Sequence, residues 1–492
     1  MGQQSTTAFT VQCCKEEDEY HCRSSCATLE EENNAPQQKV LHNRPSCLTT
    51  ISPGNHSVSP QQWAMELKQW MTFVEILLAS QACCDCMQMS GVVTLYDVNE
   101  ILIKPWTRGT GSGVALLINA DKPLRAEVFV SHCWGSDLGE SREALRNYQS
   151  THDIPPSTPL WFSLFAIYQH ANDLGELMTS SQSAQDILAK VFQCVSSHFG
   201  VVVLHTTQVQ PYSRMWCIYE IDSAIHAEMM VSVAGSDSYT GSLSHQLLRL
   251  HAIRAEVAEC SSSKDAEALR TILQSRHTWD RVNRDINRFR LATALCLGVH
   301  GGCEDVCVRL LDASADPNYF CFGGLSAFQC AIQKRDVGMV KRLLLSKADV
   351  NIALEHVTEL SSSRMERISP CMHMALGDLS LLQLLLDSKG NAQLTDHFHR
   401  TMLHATAASM PLISEFGSVE RARADKHDEA KAVIRLLLES KVDPFALDVH
   451  GHTAAEIARM RNQDLGAAFE EMCVISAPHA DYAWSKQNDN AK

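Results

Sequence analysis

The sequence has neither a long apolar run nor an excess of positive charge. Its best apolar stretch, residues 70–79, is interrupted by Glu75, whereas a membrane-spanning helix needs about 18 or more apolar residues in succession. The chain carries 42 Lys and Arg residues against 57 Asp and Glu residues, which gives a formal net charge of −15. Proteins that bind nucleic acid normally carry a basic patch. We therefore expect no membrane-spanning helix and no nucleic-acid partner.

A secretory leader and a disulfide framework are also missing. Residues 1–40 are polar and lack the apolar segment of a signal peptide. The 19 cysteines are odd in number, and many lie within apolar patterns, which favours reduced thiols in a cytoplasmic protein. The cysteine clusters lack the paired spacing of a zinc site, so we expect neither a metal centre nor a bound cofactor.

The N-terminal segment, residues 1–58, is rich in Ser, Gln, Asn and Glu and shows no apolar period, which predicts a disordered tail. It begins MGQQST, a pattern typical of N-myristoylation at Gly2. Cys13 and Cys14 lie close enough to accept a second acyl chain, which matters because one myristoyl chain binds membranes only marginally. The alternatives are a membrane tether and a chance match to a short pattern.

Residues 59–105 predict a helical lead-in to the next domain. Ser59 and Pro60 form a typical helix start, and apolar residues then recur at three- and four-residue steps up to position 78. The glycine-rich segment 109–113 resembles a phosphate-binding loop but lacks the Gly-Lys-Ser/Thr ending of such loops. We interpret it as a flexible connector.

Residues 106–287 alternate between apolar strands and helices, so we predict a separate α/β domain. Strands are predicted over 128–133, 160–167, 201–204 and 231–233, with a fifth over 253–257. Such alternation indicates an open parallel sheet. Ligands of these sheets bind beyond the carboxyl ends of the strands.

Three segments of this domain carry a resemblance. FVSHCWG at 129–135, LWFSLFAIYQH at 160–170 and SRMWCIYEI at 213–221 resemble the uncharacterised VSHxW domain of protist proteins of the dinoflagellate type. That domain is similar in its order of elements to the Toll/interleukin-1 receptor (TIR) fold. The last segment matches the Ser-x-Trp-Cys-Leu-x-Glu-Leu motif of plant TIR domains, with Ile at both Leu positions.

The resemblance implies two kinds of activity. Enzymatic TIR domains hydrolyse or cyclise NAD with a catalytic glutamate at the position of Glu220, while many other TIR domains are interaction modules only. Trp216 lies one helical turn from Glu220, and His132 and Trp134 lie near the carboxyl end of the first strand. Arg214 either neutralises Glu220 or binds an anion, and His132 and Trp134 either line a cleft or pack the sheet edge.

From residue 288 to 474 the sequence repeats itself with a spacing of 33 residues between Leu310 and Leu343, a period typical of ankyrin repeats. The segments MHMA at 372–375, TMLHA at 401–405 and GHTAA at 451–455 resemble the ankyrin Thr-Pro-Leu-His-x-Ala pattern. The resemblance implies about five stacked units, with insertions near 353–368 and 409–430, followed by a tail over 475–492. Stacked ankyrin units present a groove that binds proteins.

The sequence therefore predicts a multidomain protein, an open parallel α/β sheet of TIR-like type followed by an all-α ankyrin-repeat solenoid. The preferred interpretation is a signalling or adaptor protein that binds a protein partner through the ankyrin groove. The alternative is an enzyme that cleaves the nicotinamide–ribose bond of NAD, with NAD as substrate and Glu220 as catalytic carboxylate. A purely structural scaffold would instead have its α/β cleft filled by side chains.

Overall fold

A computed structural model of the chain describes residues 44–49, 54–169, 181–195, 199–243, 253–352, 370–396, 398–409, 420–461, 466–467 and 469–471. The acylation candidates Gly2, Cys13 and Cys14 lie outside these residues. So do the predicted insertion at 353–368, the predicted C-terminal tail and most of the predicted N-terminal tail.

The α/β part is built on a mostly parallel sheet of five strands, four of which the sequence predicts. The strands are β1 (Met65–Glu66), β2 (Val128–Ser131), β3 (Pro159–Phe162), β4 (Gly200–His205) and β5 (Val231–Gly235). Their order across the sheet is β1-β3-β2-β4-β5, and only the β1–β3 pair is antiparallel. Strands β2, β4 and β5 are buried along their whole length, as expected for parallel strands covered on both faces.

Helices cover both faces of this sheet and precede it. In chain order they are α1 (Leu67–Leu78), α2 (Gln81–Ser90), α3 (Leu95–Val98), α4 (Lys104–Thr107), α5 (Val114–Ile118), α6 (Leu138–Thr151), α7 (Ser163–Ala166), α8 (Ser181–Val195), α9 (Met215–His226), α10 (Asp237–Gly241) and α11 (Ser263–Arg276). A π-helical turn, Asn99–Ile103, joins α3 to α4.

One predicted strand is too long and another is wrong. Strand β3 ends at Phe162 and is followed by helix α7, whose turn buries both Leu164 and Phe165 in the core. An extended strand would have pointed these two neighbours to opposite faces. The predicted fifth strand is a 3₁₀ turn, Ala255–Val257.

The backbone of this turn is bonded to side chains of a later helix and not to a sheet. Asn283 accepts a hydrogen bond from the Ala255 N–H at 2.7 Å, and Asn287 accepts one from the Ile253 N–H at 3.1 Å. In a β-strand these N–H groups would bond to a neighbouring strand. Because the two asparagine side chains accept from them here, this segment does not join the sheet.

The helix predicted to begin at Pro60 begins at Leu67. Pro60 opens a 3₁₀ turn, and the chain then forms the edge strand β1, where Met65 pairs with Leu160. The Gln61 carbonyl accepts from the Ala126 N–H at 2.8 Å. Part of the lead-in therefore forms the edge strand β1 before the chain becomes helical.

Part of the predicted disordered tail and the predicted flexible connector pack against each other. Leu48 is 3% exposed and lies in the core. Asn55 accepts from the Gly113 N–H at 2.7 Å and donates to the Ala166 carbonyl at 2.9 Å. One buried side chain therefore joins the tail, the glycine-rich segment and the end of helix α7, so that this segment is an anchored part of the domain.

The C-terminal part consists of helices in the described residues. They are α12 (Trp279–His300), α13 (Glu304–Asp312), α14 (Ala327–Gln333), α15 (Val337–Leu345), α16 (Cys371–Met374), α17 (Leu379–Asp387), α18 (Met402–Ser409), α19 (Glu420–Glu439) and α20 (Ala454–Arg461). Helix α12 runs through the predicted domain boundary at 287–288. The hydroxyl groups of its buried Thr293 and of Tyr212 in the α/β part are hydrogen-bonded to each other at 3.0 Å.

The repeat spacing is visible in the loops between these helices. Asn318 donates to the Lys347 carbonyl at 3.1 Å and accepts from the Asp349 N–H at 2.8 Å. Asn351, 33 residues after Asn318, accepts from the Asn391 N–H at 2.6 Å. Consecutive loops are therefore linked by the same amide side chain in successive units.

Buried leucines recur along the helical array at intervals of 33, 42 and 52 residues. These are Leu310, Leu343, Leu385 and Leu437, all fully buried. The buried His404 donates from Nε2 to the His452 carbonyl at 3.1 Å. No helix among the described ranges is long and apolar enough to cross a membrane.

Candidate functional site

A cavity of about 360 Å³ lies beyond the carboxyl ends of β2 and β3. The chain leaves β2 for β3 on one side and later returns to β4 on the other side of β2, so the end of β2 is the topological switch point of the sheet. Ligands of open α/β sheets bind at this place. All five residues predicted for the cleft line the cavity: His132, Trp134, Arg214, Trp216 and Glu220.

Glu220 forms the acidic part of the wall. It lies in the middle of helix α9, and its Oε2 accepts a hydrogen bond from the Ser131 hydroxyl at 2.5 Å. The residue keeps a limited part of its surface on the cavity but is otherwise enclosed by protein. Burial raises the pKa of Glu220 to about 8, while the hydrogen bond from Ser131 opposes this rise. With this pKa, Glu220 is mainly in its neutral form at pH 7.

Arg214 does not neutralise Glu220, which was one of its two predicted roles. Its guanidinium forms an ion pair with Glu259 at 3.2 Å and donates to the Ser261 hydroxyl at 3.1 Å. It also lies 3.4 Å from the Tyr96 hydroxyl. These partners place Arg214 at the rim of the cavity, where its charge is already balanced.

His132 is a fixed, neutral wall residue. Its Nδ1 lies 3.0 Å from the Val130 carbonyl, which can only accept, so Nδ1 carries the proton and Nε2 accepts from the Ser163 hydroxyl at 3.2 Å. The ring stacks on Phe162 with centroids 3.8 Å apart. Burial lowers the pKa of His132 to about 4, so the ring is uncharged at neutral pH and its one proton, on Nδ1, is bonded to the Val130 carbonyl.

His132 and Ser131 do not form a catalytic dyad. Ser131 points to Glu220 and His132 to Ser163, because adjacent residues at a strand end face opposite ways.

Aromatic rings form much of the remaining wall. Trp134 packs on Tyr96 with centroids 5.6 Å apart, and Trp216 packs edge-on against Tyr219 at 6.1 Å. Trp161 closes the side next to β3. The cavity thus presents flat apolar surfaces beside the carboxyl groups of Glu220, Glu259 and Asp265.

Two thiols lie under this wall. The sulfurs of Cys133 and Cys217 are 3.8 Å apart, and Cys217 donates to the His132 carbonyl at 3.5 Å. The contact with Cys133 and burial raise the pKa of Cys217 well above its usual value. Cys217 is therefore protonated and packs as a small apolar side chain.

Other lining residues were not predicted from the sequence. Tyr96 comes from helix α3 of the lead-in, Glu259 and Asp265 from the segment around the start of α11, and Ile187 from α8. None belongs to a motif of the α/β pattern, and Glu259 and Asp265 lie close to a segment predicted as a strand. Only the apolar spacing of α8, which predicts an inward face containing Ile187, pointed toward this place.

The donor set does not suit a metal ion. No group of three or more His, Cys, Asp and Glu side chains is placed to hold a metal in the part of the chain that the structure describes. The arrangement suits a flat organic ligand, because aromatic walls supply contact area and a few carboxyl groups supply polarity.

Comparison with known proteins adds no family to this description. No protein-family model matches the chain, and no curated protein matches it either.

Proposed function

We propose that the α/β domain is TIR-like and cleaves the bond between nicotinamide and ribose in NAD, with Glu220 as the catalytic carboxylate. The observation that supports this is the open cavity of about 360 Å³ beside Trp216 and Glu220. A purely structural scaffold would have this cleft filled by side chains.

The size of the cavity suits part of a dinucleotide. Small-molecule sites occupy about 300–1,000 Å³, and this cavity lies near the lower limit. We expect the nicotinamide–ribose half to enter and the adenosine half to remain near the rim, where Arg214 and Tyr96 lie.

The wall has the chemistry that a pyridinium ring requires. The positively charged ring can lie against Trp134 or Trp216, since cations are attracted to aromatic faces. Its charge also favours the ionised form of Glu220, whose pKa burial raises to about 8. We therefore expect NAD binding at pH 7 to release a proton from Glu220.

Bond cleavage then needs charge stabilisation more than proton transfer. Nicotinamide leaves as a neutral base and takes the bonding electron pair, so positive charge develops on the ribose. An ionised Glu220 stabilises that charge in the transition state, as carboxylates do in glycoside hydrolysis. Water adds to the ribose and loses a proton in the hydrolytic reaction. The neutral His132 is compatible with this scheme, because the leaving group needs no acid.

The test is NAD turnover by the whole chain. We expect wild-type protein to release nicotinamide and Glu220→Gln to lose this activity while its thermal unfolding stays cooperative. Glu267→Gln removes an exposed carboxylate of α11 that does not line the cavity and serves as the matched control, with activity retained. No release at high protein concentration, or equal loss in both variants, would rule the proposal out.

A second candidate function rests on the helices after residue 279. We propose that these are ankyrin-type repeats that bind a protein partner, as in a signalling or adaptor protein. The repeated loop bonds of Asn318 and Asn351 support this, because stacked units of this kind present extended binding surfaces.

This second function can be tested on one helix. Leu345 at the end of α15 is 87% exposed, and Lys341 is an exposed polar residue of the same helix. Proteins captured from a lysate by the wild-type chain should be lost with Leu345→Glu and kept with Lys341→Glu. The same captured set for all three proteins would argue against this surface.

A further inference from the structure

Ser131 is a polar residue in an otherwise apolar buried strand. Strand β2 reads Val-Phe-Val-Ser, and Ser131 is fully buried at its end. A buried hydroxyl without a partner destabilises a fold, so its partner is informative. That partner is Glu220 Oε2 at 2.5 Å, on a helix 89 residues further along the chain.

We propose that Ser131 is the positioning residue of the candidate site, where its hydroxyl holds the Glu220 carboxyl group in place at the cavity wall. This inference rests on the proposed function of Glu220. It gives Ser131, the last residue of β2, a role in the same reaction, although Ser131 does not contact the substrate.

The position of Ser131 is fixed by the sheet. Ser131 belongs to β2, the central strand of the sheet, and pairs with Val203 of the neighbouring strand β4, so its backbone is held by the sheet. Glu220, in contrast, has a side chain with three rotatable bonds. A reacting group is effective only when it is held near its productive geometry, and the bond from Ser131 supplies this restraint.

The bond also changes the ionisation of Glu220. Burial raises its pKa, and the hydrogen bond from Ser131 lowers it, because a donated bond favours the charged form of a carboxylate. Loss of the hydroxyl should therefore move the titration of Glu220 further into the alkaline range.

No other described group supplies this restraint. The titratable and charged side chains around the cavity wall, besides Glu220, are Tyr96, His132, Cys133, Arg214, Cys217, Glu259, Cys260 and Asp265. His132 is neutral and bonded to Ser163, and Arg214 is paired with Glu259. Cys217, the thiol of α9, is itself within hydrogen-bonding reach of the Ser131 hydroxyl.

The test compares three variants of the full chain. Ser131→Ala removes the hydroxyl, and Ser131→Thr keeps it. Ser232→Ala is the matched control, because Ser232 is a fully buried serine of β5 whose hydroxyl has no partner among the described residues. Each protein is measured for kcat and KM of NAD cleavage across pH. The carboxyl titration of Glu220 is measured separately by infrared difference spectroscopy against Glu220→Gln.

We expect Ser131→Ala to lower kcat by about 10²-fold, with KM changed much less, and to move the Glu220 titration to higher pH. Ser131→Thr should restore both properties toward wild type, and Ser232→Ala should leave them unchanged. An unshifted titration and an unchanged kcat in Ser131→Ala would overturn the inference, as would equal effects of Ser232→Ala.

The two readouts separate this inference from the proposed function. If the wild-type chain does not cleave NAD, the proposed function fails, but the infrared titration still decides whether Ser131 controls Glu220. If Ser131→Ala does not fold, Ser131→Thr decides in its place: a wild-type titration supports the inference, and a titration at higher pH overturns it.

Discussion

Arg214 forms an ion pair with Glu259, 3.2 Å away, and leaves Glu220 with only the Ser131 hydroxyl as a hydrogen-bond partner among the described residues. The charge of Arg214, which is close to Glu220 in the sequence, is thus balanced by Glu259 at the rim of the cavity. The carboxyl group inside the cavity remains free to respond to a cationic ligand.

Arg214→Ala should therefore have a small effect on folding and none on the ionisation of Glu220. Exposed or half-exposed ion pairs stabilise proteins by about 0–1 kcal/mol, and the Glu259 side chain is 77% exposed. Urea unfolding and the carboxyl titration of Glu220 check both points. Arg254→Ala, which removes the comparable pair with Glu256, is the control. A shifted Glu220 titration in Arg214→Ala would show that Arg214 and Glu220 interact, which contradicts this prediction.

Glu220→Gln should stabilise the fold increasingly as pH rises from about 4.5 to 8. The pKa of Glu220 is about 8 in the folded protein and close to 4.5 when unfolded. Between these values the folded state holds a proton that the unfolded state releases, so wild-type stability falls as pH rises. Below pH 4.5 both states are protonated and this contribution is absent.

Thermal unfolding of wild type and Glu220→Gln across this range measures the effect. Glu259→Gln reports what the loss of a rim carboxylate does by itself. A difference between Glu220→Gln and wild type that does not change with pH would contradict the raised pKa of Glu220.

His404→Ala should destabilise the helical array by about 2–4 kcal/mol. His404 accepts at Nδ1 from the Thr401 N–H at 3.1 Å and donates from Nε2 to the His452 carbonyl at 3.1 Å. The side chain is 1% exposed, so its loss leaves buried polar groups without partners. The exposed His450 provides the control, and His450→Ala should change the free energy of unfolding by less than about 0.5 kcal/mol. Equal effects would argue against the structural role of His404.

Gly113→Ala should destabilise the α/β domain by about 1–3 kcal/mol. A Cβ at Gly113 would lie 2.4 Å from the Ala166 carbonyl oxygen, which belongs to backbone that Asn55 already holds. At Gly241 in α10 a Cβ meets nothing within 4 Å, so Gly241→Ala should be neutral or slightly stabilising. Denaturant unfolding of both variants distinguishes an anchored segment from a flexible connector, which would tolerate both changes.

Cys217 should resist alkylation in the folded protein although it lines the cavity. The thiolate is the reactive form, and the contact with Cys133 together with burial raises the pKa of Cys217 well above its usual value. Iodoacetamide at pH 8 should label the exposed Cys84 and leave Cys217 unlabelled until urea unfolds the chain. Mass spectrometry of the peptides measures both sites, and rapid labelling of native Cys217 would show that the thiol is activated.

Local pattern was sufficient for several features of the candidate site. Trp216 and Glu220 are four residues apart, and helical geometry alone brings both to the cavity. His132 and Trp134 follow an apolar strand, and the rule for parallel sheets correctly places them at its carboxyl end. The fully buried leucines Leu310 and Leu343 follow in the same way from their spacing of 33 residues.

Features that depend on distant partners could not be predicted in this way. The segment 253–257 alternates like a strand, but Asn283 and Asn287 bind its N–H groups and produce a turn. Tyr96 reaches the cavity from the lead-in, and nothing in its local sequence indicates this. These outcomes depend on which polar groups meet after the chain has folded.

The sequence by itself determined the mostly parallel α/β sheet, the helices that follow it and the helix that carries Glu220, because apolar periodicity and spacing are local properties of the chain. Only the tertiary structure decided that Ser131 bonds to Glu220, that Arg214 pairs with Glu259 and that a cavity stays open between them. The physical reason is that hydrogen bonding, ion pairing and burial depend on the distances between residues far apart in the chain, which local pattern does not encode.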